Sequence, residues 1–264
     1  MREAAETARQ ARLADLRRYL AEAEGFGQEA GVLPFGVPAI DEALPWRGLP
    51  LAALHEIENA GVRDEDGAAV TFLAGILARL APARPVLWCL QSADLHAPGL
   101  ALAGLDARRL VLLRAPNERE ILWAMEEGLR SRALAAVVGE IEMLSTSASR
   151  RLQLAAESVG VTGFVLHRSA GPHFRIRAAA SAAVTRWRVA ALPSVPVAGE
   201  PGIGRPRWRV EMLRCRGGMP ASWDVEACDA QSLWTTGHVA VPAALADRPA
   251  LQQIGTRGQI RAAG

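Results

Sequence analysis

The sequence predicts an α/β fold in which a mostly parallel sheet is covered by helices on both faces. Short apolar runs alternate with helical segments, and such runs are typical of strands that are buried on both faces. These runs are 51–57, 86–90, 109–114, 134–138 and 161–167. After Gly171 the apolar residues alternate at period two, which predicts an extension of antiparallel strands over 184–190, 208–214 and 222–226.

The 264 residues are predicted to form three parts. These parts are an N-terminal amphipathic helix within 1–27, a core over 28–230 and a loose tail over 231–264. Leu13, Leu16 and Leu20 recur at three- and four-residue steps between charged residues, which predicts one apolar helix face. This face is a candidate partner-binding surface, and packing on its own domain is equally compatible with the pattern.

The predicted core helices follow the predicted strands in order. They cover 68–80, 97–105, 117–131 and 147–159, and Asn117 is the expected N-cap of the third. The fourth is expected to turn Leu152, Leu154 and Ala155 inward. Trp88 and Trp123 stand in apolar surroundings, on a strand and a helix respectively, and both are expected in the core.

A glycine-bearing loop joins the first predicted strand to the first core helix. Strand, glycine loop and helix is the layout of a phosphate-binding loop, which also needs Gly-Lys-Ser/Thr at the helix start. The chain contains 30 arginines and no lysine, and acidic residues stand where a polyphosphate would lie and would repel it. We interpret the loop as degenerate, and its marker residues are Asn59, Gly61, Asp64, Asp66 and Gly67.

Composition narrows the function classes. The three cysteines are scattered, the five histidines share no metal-ligand spacing, and no apolar stretch of about 18 residues predicts a membrane span. No signal peptide is expected, so the predicted location is the cytoplasm.

Charge is unevenly distributed along the chain. Residues 1–167 hold 17 arginines and 22 acids, whereas residues 168–264 hold 13 arginines and six acids. The basic part favours nucleic acid or an acidic protein as a partner, and a solvated arginine-rich sheet face explains it equally well.

Short motifs along residues 35–226 occur in the order and spacing of the RecA recombinase core. They include Asp41-Glu42-Ala43-Leu44, Ala97-Pro98-Gly99-Leu100, Val138-Gly139-Glu140, Arg150-Arg151-Leu152-Gln153, Thr185-Arg186-Trp187 and Leu213-Arg214-Cys215-Arg216. The chain resembles a RecA-like core and, more closely, the ImuA family. ImuA proteins are the RecA-like, sometimes SulA-like, members of the bacterial damage-inducible mutagenesis cassette.

The departures from RecA imply a protein without ATPase activity. Ser92 stands at the position of the catalytic glutamate, and Gly139 stands at that of the magnesium-organising aspartate. A serine hydroxyl cannot polarise an attacking water as a carboxylate does. The first DNA-binding loop has no counterpart, whereas the second corresponds to residues 169–183. The resemblance therefore implies no cofactor.

The function implied by the resemblance is that of a non-catalytic adaptor in SOS-induced translesion DNA synthesis. The implied partners are the polymerase-like ImuB protein and the error-prone DNA polymerase alpha subunit, with RecA as a further candidate. The implied location is cytoplasmic, on the nucleoid when DNA is damaged. A residual ATPase and a cell-division inhibitor are weaker alternatives.

The principal alternative is direct binding of single-stranded DNA. Arginines neutralise phosphates and tryptophans stack on unpaired bases. The candidate contacts are Arg175, Arg177, Arg186, Trp187, Arg188, Arg207, Trp208 and Arg209. In alternating strands the two tryptophans can equally face the core with the arginines outward, and we favour that orientation.

Overall fold

The computed structural model describes residues 31–60, 66–168, 180–195 and 205–227. Its strands are β1 Val32–Leu33, β2 Leu49–Pro50, β3 Leu54–Asn59, β4 Val86–Leu90, β5 Leu110–Arg114, β6 Ala136–Ile141, β7 Thr162–His167, β8 Thr185–Val195, β9 Arg205–Cys215 and β10 Ala221–Glu226. Its helices are α1 Pro38–Ala43, α2 Asp66–Arg79, α3 Ala97–Leu102, α4 Glu118–Leu129 and α5 Thr146–Val159.

Eight strands form one mixed sheet in the order β10-β9-β8-β3-β7-β6-β4-β5. Every neighbouring pair from β5 to β8 is parallel, whereas β9 runs antiparallel to both β8 and β10. Strands β1 and β2 form a separate antiparallel pair. The predicted fold class, an α/β core whose mostly parallel sheet is covered by helices on both faces and carries an antiparallel C-terminal extension, is confirmed.

Helices cover the two faces of the parallel part. Residues of α2 and α3 pack in one core cluster with Trp88, Phe164 and Trp187, and residues of α4 and α5 pack in the other with Val137 and Val165. The alternating side chains of the buried strands supply both clusters, which explains why their sequences read as continuous apolar runs.

Most element boundaries agree with the sequence to within two residues. The exceptions are β8, which ends five residues later than expected, and β3, β6, β9 and α3, each of which differs by three residues at one end. The first core strand was expected over 51–57, but β3 begins at Leu54. Ala52 has a φ of 53°, so the chain cannot be extended at this residue. Its N–H donates to Thr162 Oγ1 at 3.1 Å, which fixes the bend to the start of β7.

Two expected core side chains instead face outward. Trp123 and Leu154 are each 65% exposed, so their predicted inward orientation is wrong. Each lies two residues from a buried neighbour on its helix, Ile121 and Leu152 respectively. Two residues correspond to about 200° of helical rotation, so both members of such a pair cannot face the sheet. Trp88, in contrast, is fully buried as expected.

The expected cap at the start of α4 is present, and α5 has a side-chain cap that the sequence analysis did not single out. Asn117 Oδ1 accepts from Glu120 N at 3.0 Å at the start of α4. Ser145 Oγ accepts from Ala148 N at 3.2 Å at the start of α5. The predicted N-terminal helix and the predicted tail lie outside the described residues.

Candidate functional site

A cleft of about 530 Å³ opens where the parallel strands end. The start of α2, the segment after β4, the start of α3 and Arg168 after β7 line it. Ligands of open α/β sheets bind at the carboxyl ends of the strands, so this cleft is where a nucleotide of a RecA-like core would lie.

The degenerate phosphate loop is only partly described. Asn59 ends β3 and Gly67 stands in the first turn of α2, whereas Gly61 and Asp64 lie outside the described residues. Only the backbone of Asp66 is described. The Thr71 hydroxyl, which lines the cleft, donates to the Gly67 carbonyl at 2.6 Å, so its proton is already used within the helix.

Among the described residues, Arg168 is the arginine that lines this cleft. Its guanidinium forms an ion pair with the Asp94 carboxylate, and its Nε lies 3.7 Å from Glu140 Oε2. Glu140 in turn accepts from Trp88 Nε1 at 2.7 Å. One cation is therefore shared by two carboxylates of the protein itself, and little positive potential is left for a phosphate.

The two predicted lost catalytic positions belong to neighbouring strands of the sheet, one just after β4 and one within β6. Ser92 lines the cleft two residues after β4, and Gly139 is inside β6. A Cβ atom at Gly139 would lie 2.1 Å from Met125 Sδ and 3.1 Å from Ile121 Cγ2. Helix α4 thus occupies the space that an aspartate side chain would need at this position.

A second polar cluster is buried beside the cleft. Glu56 on β3 accepts from His167 Nε2 at 2.8 Å and from Arg186 Nη2 at 2.7 Å. Burial alone would raise the pKa of Glu56, but the hydrogen bond and charge of His167, together with the Arg186 guanidinium, hold this pKa below its usual range. The cluster joins three neighbouring strands, β7, β3 and β8, through one carboxylate.

The predicted nucleic-acid tryptophans do not reach solvent. Trp187 and Trp208 are buried, and both pack against Phe72 of α2 with ring centroids 6.3 and 6.2 Å apart. The structure therefore shows the alternative in which the tryptophans face the core. Neither ring is available to stack on a base.

The four described candidate arginines of the same strands face the opposite side, and three of them pair with acidic side chains. Arg186 pairs with buried Glu56, and Arg188 Nη2 lies 2.6 Å from Glu58 Oε1. Arg209 Nε lies 2.8 Å from Asp224 Oδ1, and Arg207 stands opposite Glu226 in the β9–β10 register. This face is a ladder of alternating charges, which provides little net attraction for a polyanion. Arg175 and Arg177 lie outside the described residues, as do Leu13, Leu16 and Leu20.

Sequence reasoning did not single out Arg168, although a signal for it was present. The residue directly follows an apolar run that predicts a buried strand. The rule that carboxyl ends of parallel strands carry the binding site would have selected it.

Within the described ranges, no group of three or more His, Cys, Asp or Glu side chains is placed to hold a metal ion. None of the described helices is both long and apolar enough to cross a bilayer.

Comparison with known proteins shows which proteins this chain is similar to. Two proteins named ImuA, from two strains of Caulobacter vibrioides, are each 44% identical over 207 residues, which is 75% of this chain and 84% of theirs. A crystal structure of SulA from Pseudomonas aeruginosa is 30% identical over 44% of this chain and 98% of that chain, with a TM-score of 0.38. No protein-family model matches the chain. The identity to the two Caulobacter proteins shows that the chain belongs to the ImuA family.

Proposed function

We propose that this chain is a non-catalytic accessory protein of SOS-induced translesion DNA synthesis, where it acts as an adaptor for an error-prone polymerase complex. Membership of the ImuA family supports a role in damage-inducible mutagenesis. The observation that carries the non-catalytic part is the Arg168 guanidinium, which is shared by Asp94 and Glu140 in the cleft.

Four features of the cleft argue together against ATP hydrolysis. The chain has no lysine for the β- and γ-phosphates, and the Thr71 hydroxyl is bonded within its own helix. Ser92 cannot act as a general base in place of a glutamate, and an aspartate at Gly139 would have to displace the side chains of Met125 and Ile121. A triphosphate would meet an arginine whose charge is already neutralised, beside carboxylates that repel it.

An adaptor needs protein partners rather than a substrate. The proposed partners are the polymerase-like ImuB protein and the error-prone DNA polymerase alpha subunit, with RecA as a further candidate. A RecA-like core without nucleotide control retains surfaces for such contacts and loses the switch that ATP provides. The proposed location is the cytoplasm, at the nucleoid after DNA damage.

Size-exclusion chromatography with light scattering tests the adaptor role. The chain is run alone, with the ImuB-like protein of its own cell, and with both that protein and the polymerase alpha subunit. We expect a co-migrating complex with defined stoichiometry. Separate peaks at micromolar concentration of both proteins would contradict the proposal.

Direct binding of single-stranded DNA receives less support from the described residues. The tryptophans are buried and the outward arginines of β8 and β9 face carboxylates. The same chromatography with an oligonucleotide decides between the two functions. A shift of this chain by DNA alone, abolished by salt, would favour the alternative.

A further inference from the structure

The edge strand β5 exposes apolar side chains, whereas the strand at the opposite edge of the sheet carries charged ones. Strand β5 has the sequence Leu-Val-Leu-Leu-Arg and pairs only with β4 among the described strands. Val111 is 49% exposed and Leu112 is 54% exposed. Consecutive strand residues point to opposite faces, so both faces of this edge present an uncovered apolar side chain.

One hydrogen bond fixes which backbone groups of β5 face outward. Ala115 N donates to Leu90 O of β4 at 2.9 Å, so Val111 and Leu113 direct their N–H and C=O groups toward β4 as well. The backbone groups of Leu110, Leu112 and Arg114 therefore point to the open edge. Leu112 combines an outward backbone with an exposed side chain at the centre of the strand.

Folded proteins usually protect such an edge with charges, proline or a bulge. The opposite edge strand, β10, follows this rule, because it carries Asp224 and Glu226. Strand β5 has no charge before its last residue and no proline. The only protection visible within it is its short length of five residues.

The charge at the end of the edge indicates what the strand can bind. Arg114 is exposed, and its Nε donates to the Gln91 carbonyl at 3.2 Å. No carboxylate of the described residues pairs with its guanidinium. A strand added at this edge would therefore gain from a carboxylate placed beside Arg114.

A second copy of the chain fits this edge poorly. Antiparallel pairing of two β5 strands about Leu112 would place Arg114 of each copy opposite Leu110 and next to Arg109 of the other. Like charges would meet at both ends. Two five-residue strands also bury much less than the roughly 800 Å² per partner of a stable interface.

We propose that the open edge of β5 is a docking site for an extended, apolar segment of a protein partner, which adds one strand to the sheet and places a carboxylate against Arg114. Main-chain hydrogen bonds to Leu112 would supply affinity, and the exposed side chains of Val111 and Leu112 would favour apolar residues in the added segment. Leu102 of α3, which is 73% exposed, extends the apolar surface of the layer that Leu110 packs against. This inference rests on the adaptor function proposed above and gives it a docking surface.

The substitution Leu112→Pro tests the added strand. Proline removes an N–H that faces outward, so no hydrogen bond to β4 is lost. We expect the affinity for the ImuB-like protein, measured by calorimetry on the full chain, to fall at least about tenfold. Leu154→Thr is the control, because Leu154 is an apolar side chain of similar exposure that lies on helix α5 and outside the proposed site.

A charge reversal gives an independent test that does not rely on proline. Arg114→Glu is expected to weaken the same complex by about tenfold, whereas Arg119→Glu, an exposed reversal on α4, should leave it unchanged. Added salt should reduce the difference between these two variants.

The outcomes separate this proposal from the one on which it rests. A wild-type complex that neither Leu112→Pro nor Arg114→Glu weakens would overturn the β5 site and leave the adaptor role intact. Absence of any complex with the wild-type chain would overturn both. A wild-type dimer in light scattering that Leu112→Pro converts to a monomer would show that a second copy occupies the edge, which also overturns the proposed occupant.

Discussion

Gly139 of β6 lies directly beneath Met125 of α4, so closely that a Cβ atom on the glycine would be 2.1 Å from the methionine Sδ. An aspartate, which the resemblance to RecA leads us to expect at this position, would have to displace the methionine side chain. The packing of α4 on β6 is therefore matched to a glycine here.

The substitution Gly139→Ala should be strongly destabilising. The added methyl group meets Met125 and Ile121 in a buried cluster, and overpacking of this kind costs about 1–3 kcal/mol. Urea unfolding monitored by tryptophan fluorescence measures the change. Gly67→Ala is the control, because a Cβ there meets nothing within 4 Å and alanine favours the helix by about 0.5–1 kcal/mol. Equal effects of the two substitutions would contradict the packing described here.

Arg109 should be important for stability, although nothing in its sequence context distinguishes it from an ordinary exposed arginine. Its guanidinium donates to carbonyls at the end of α2, including Leu80 O at 2.6 Å and Ala78 O at 3.2 Å. Arg109→Ala leaves these carbonyls without their donor and is expected to cost about 2–3 kcal/mol. Arg108→Ala removes an exposed pair with Asp106 and should cost less than about 1 kcal/mol. Comparable losses in thermal unfolding would refute the capping role.

His55 should make stability depend on pH in a defined window. Burial lowers the pKa of His55 to about 4, although its hydrogen bond to the Pro50 carbonyl partly opposes this shift. The unfolded chain takes up a proton near the ordinary value of 6.5, whereas the folded chain does not until near pH 4. The free energy of unfolding should therefore decrease as the pH falls from 6.5 to 4, by about 3 kcal/mol from this residue.

The variant His55→Gln isolates that contribution. Glutamine keeps a hydrogen-bonding side chain opposite Thr185 and Pro50 but does not titrate. Its unfolding free energy should lose less than that of the wild type between pH 6.5 and pH 4. Parallel pH profiles of the two proteins would show that folding does not lower the pKa of His55 and would contradict this prediction.

Mg-ATP should not stabilise the protein. A ligand that binds the folded state raises the melting temperature by mass action. Because Asp94 and Glu140 already neutralise Arg168, we expect no shift in differential scanning fluorimetry at millimolar Mg-ATP. Asp94→Ala removes one of the two carboxylates, so this variant should reveal weak binding of Mg-ATP more readily than the wild type. A clear shift of the wild type would contradict the account of the cleft.

The sequence predicts the parallel part of this fold well because buried strands leave a strong apolar signal. The run 86–90 coincides with β4, and the Asn117 cap is where the capping chemistry places it. The sequence predicts less well which way a helical side chain points. The outward positions of Trp123 and Leu154 follow from the rotation of each helix relative to the sheet, which composition does not reveal.

The site is harder to predict because its residues are distant in the sequence. Arg168, Asp94 and Glu140 belong to three separate segments, and only the sheet order brings them together. Likewise, Arg186, Arg188 and Arg209 each acquire a carboxylate partner from a neighbouring strand. Part of the basic charge that suggested nucleic acid is thereby paired with acids of β3 and β10.

The central claim is that this RecA-like core acts on protein partners without nucleotide control. The most direct test is a calorimetric titration of the chain with the ImuB-like protein of its own cell, without nucleotide and with millimolar Mg-ATP. We predict one complex with the same stoichiometry and the same affinity under both conditions. An affinity that changes about tenfold or more with Mg-ATP would contradict the account, because only a nucleotide that binds can shift such an equilibrium.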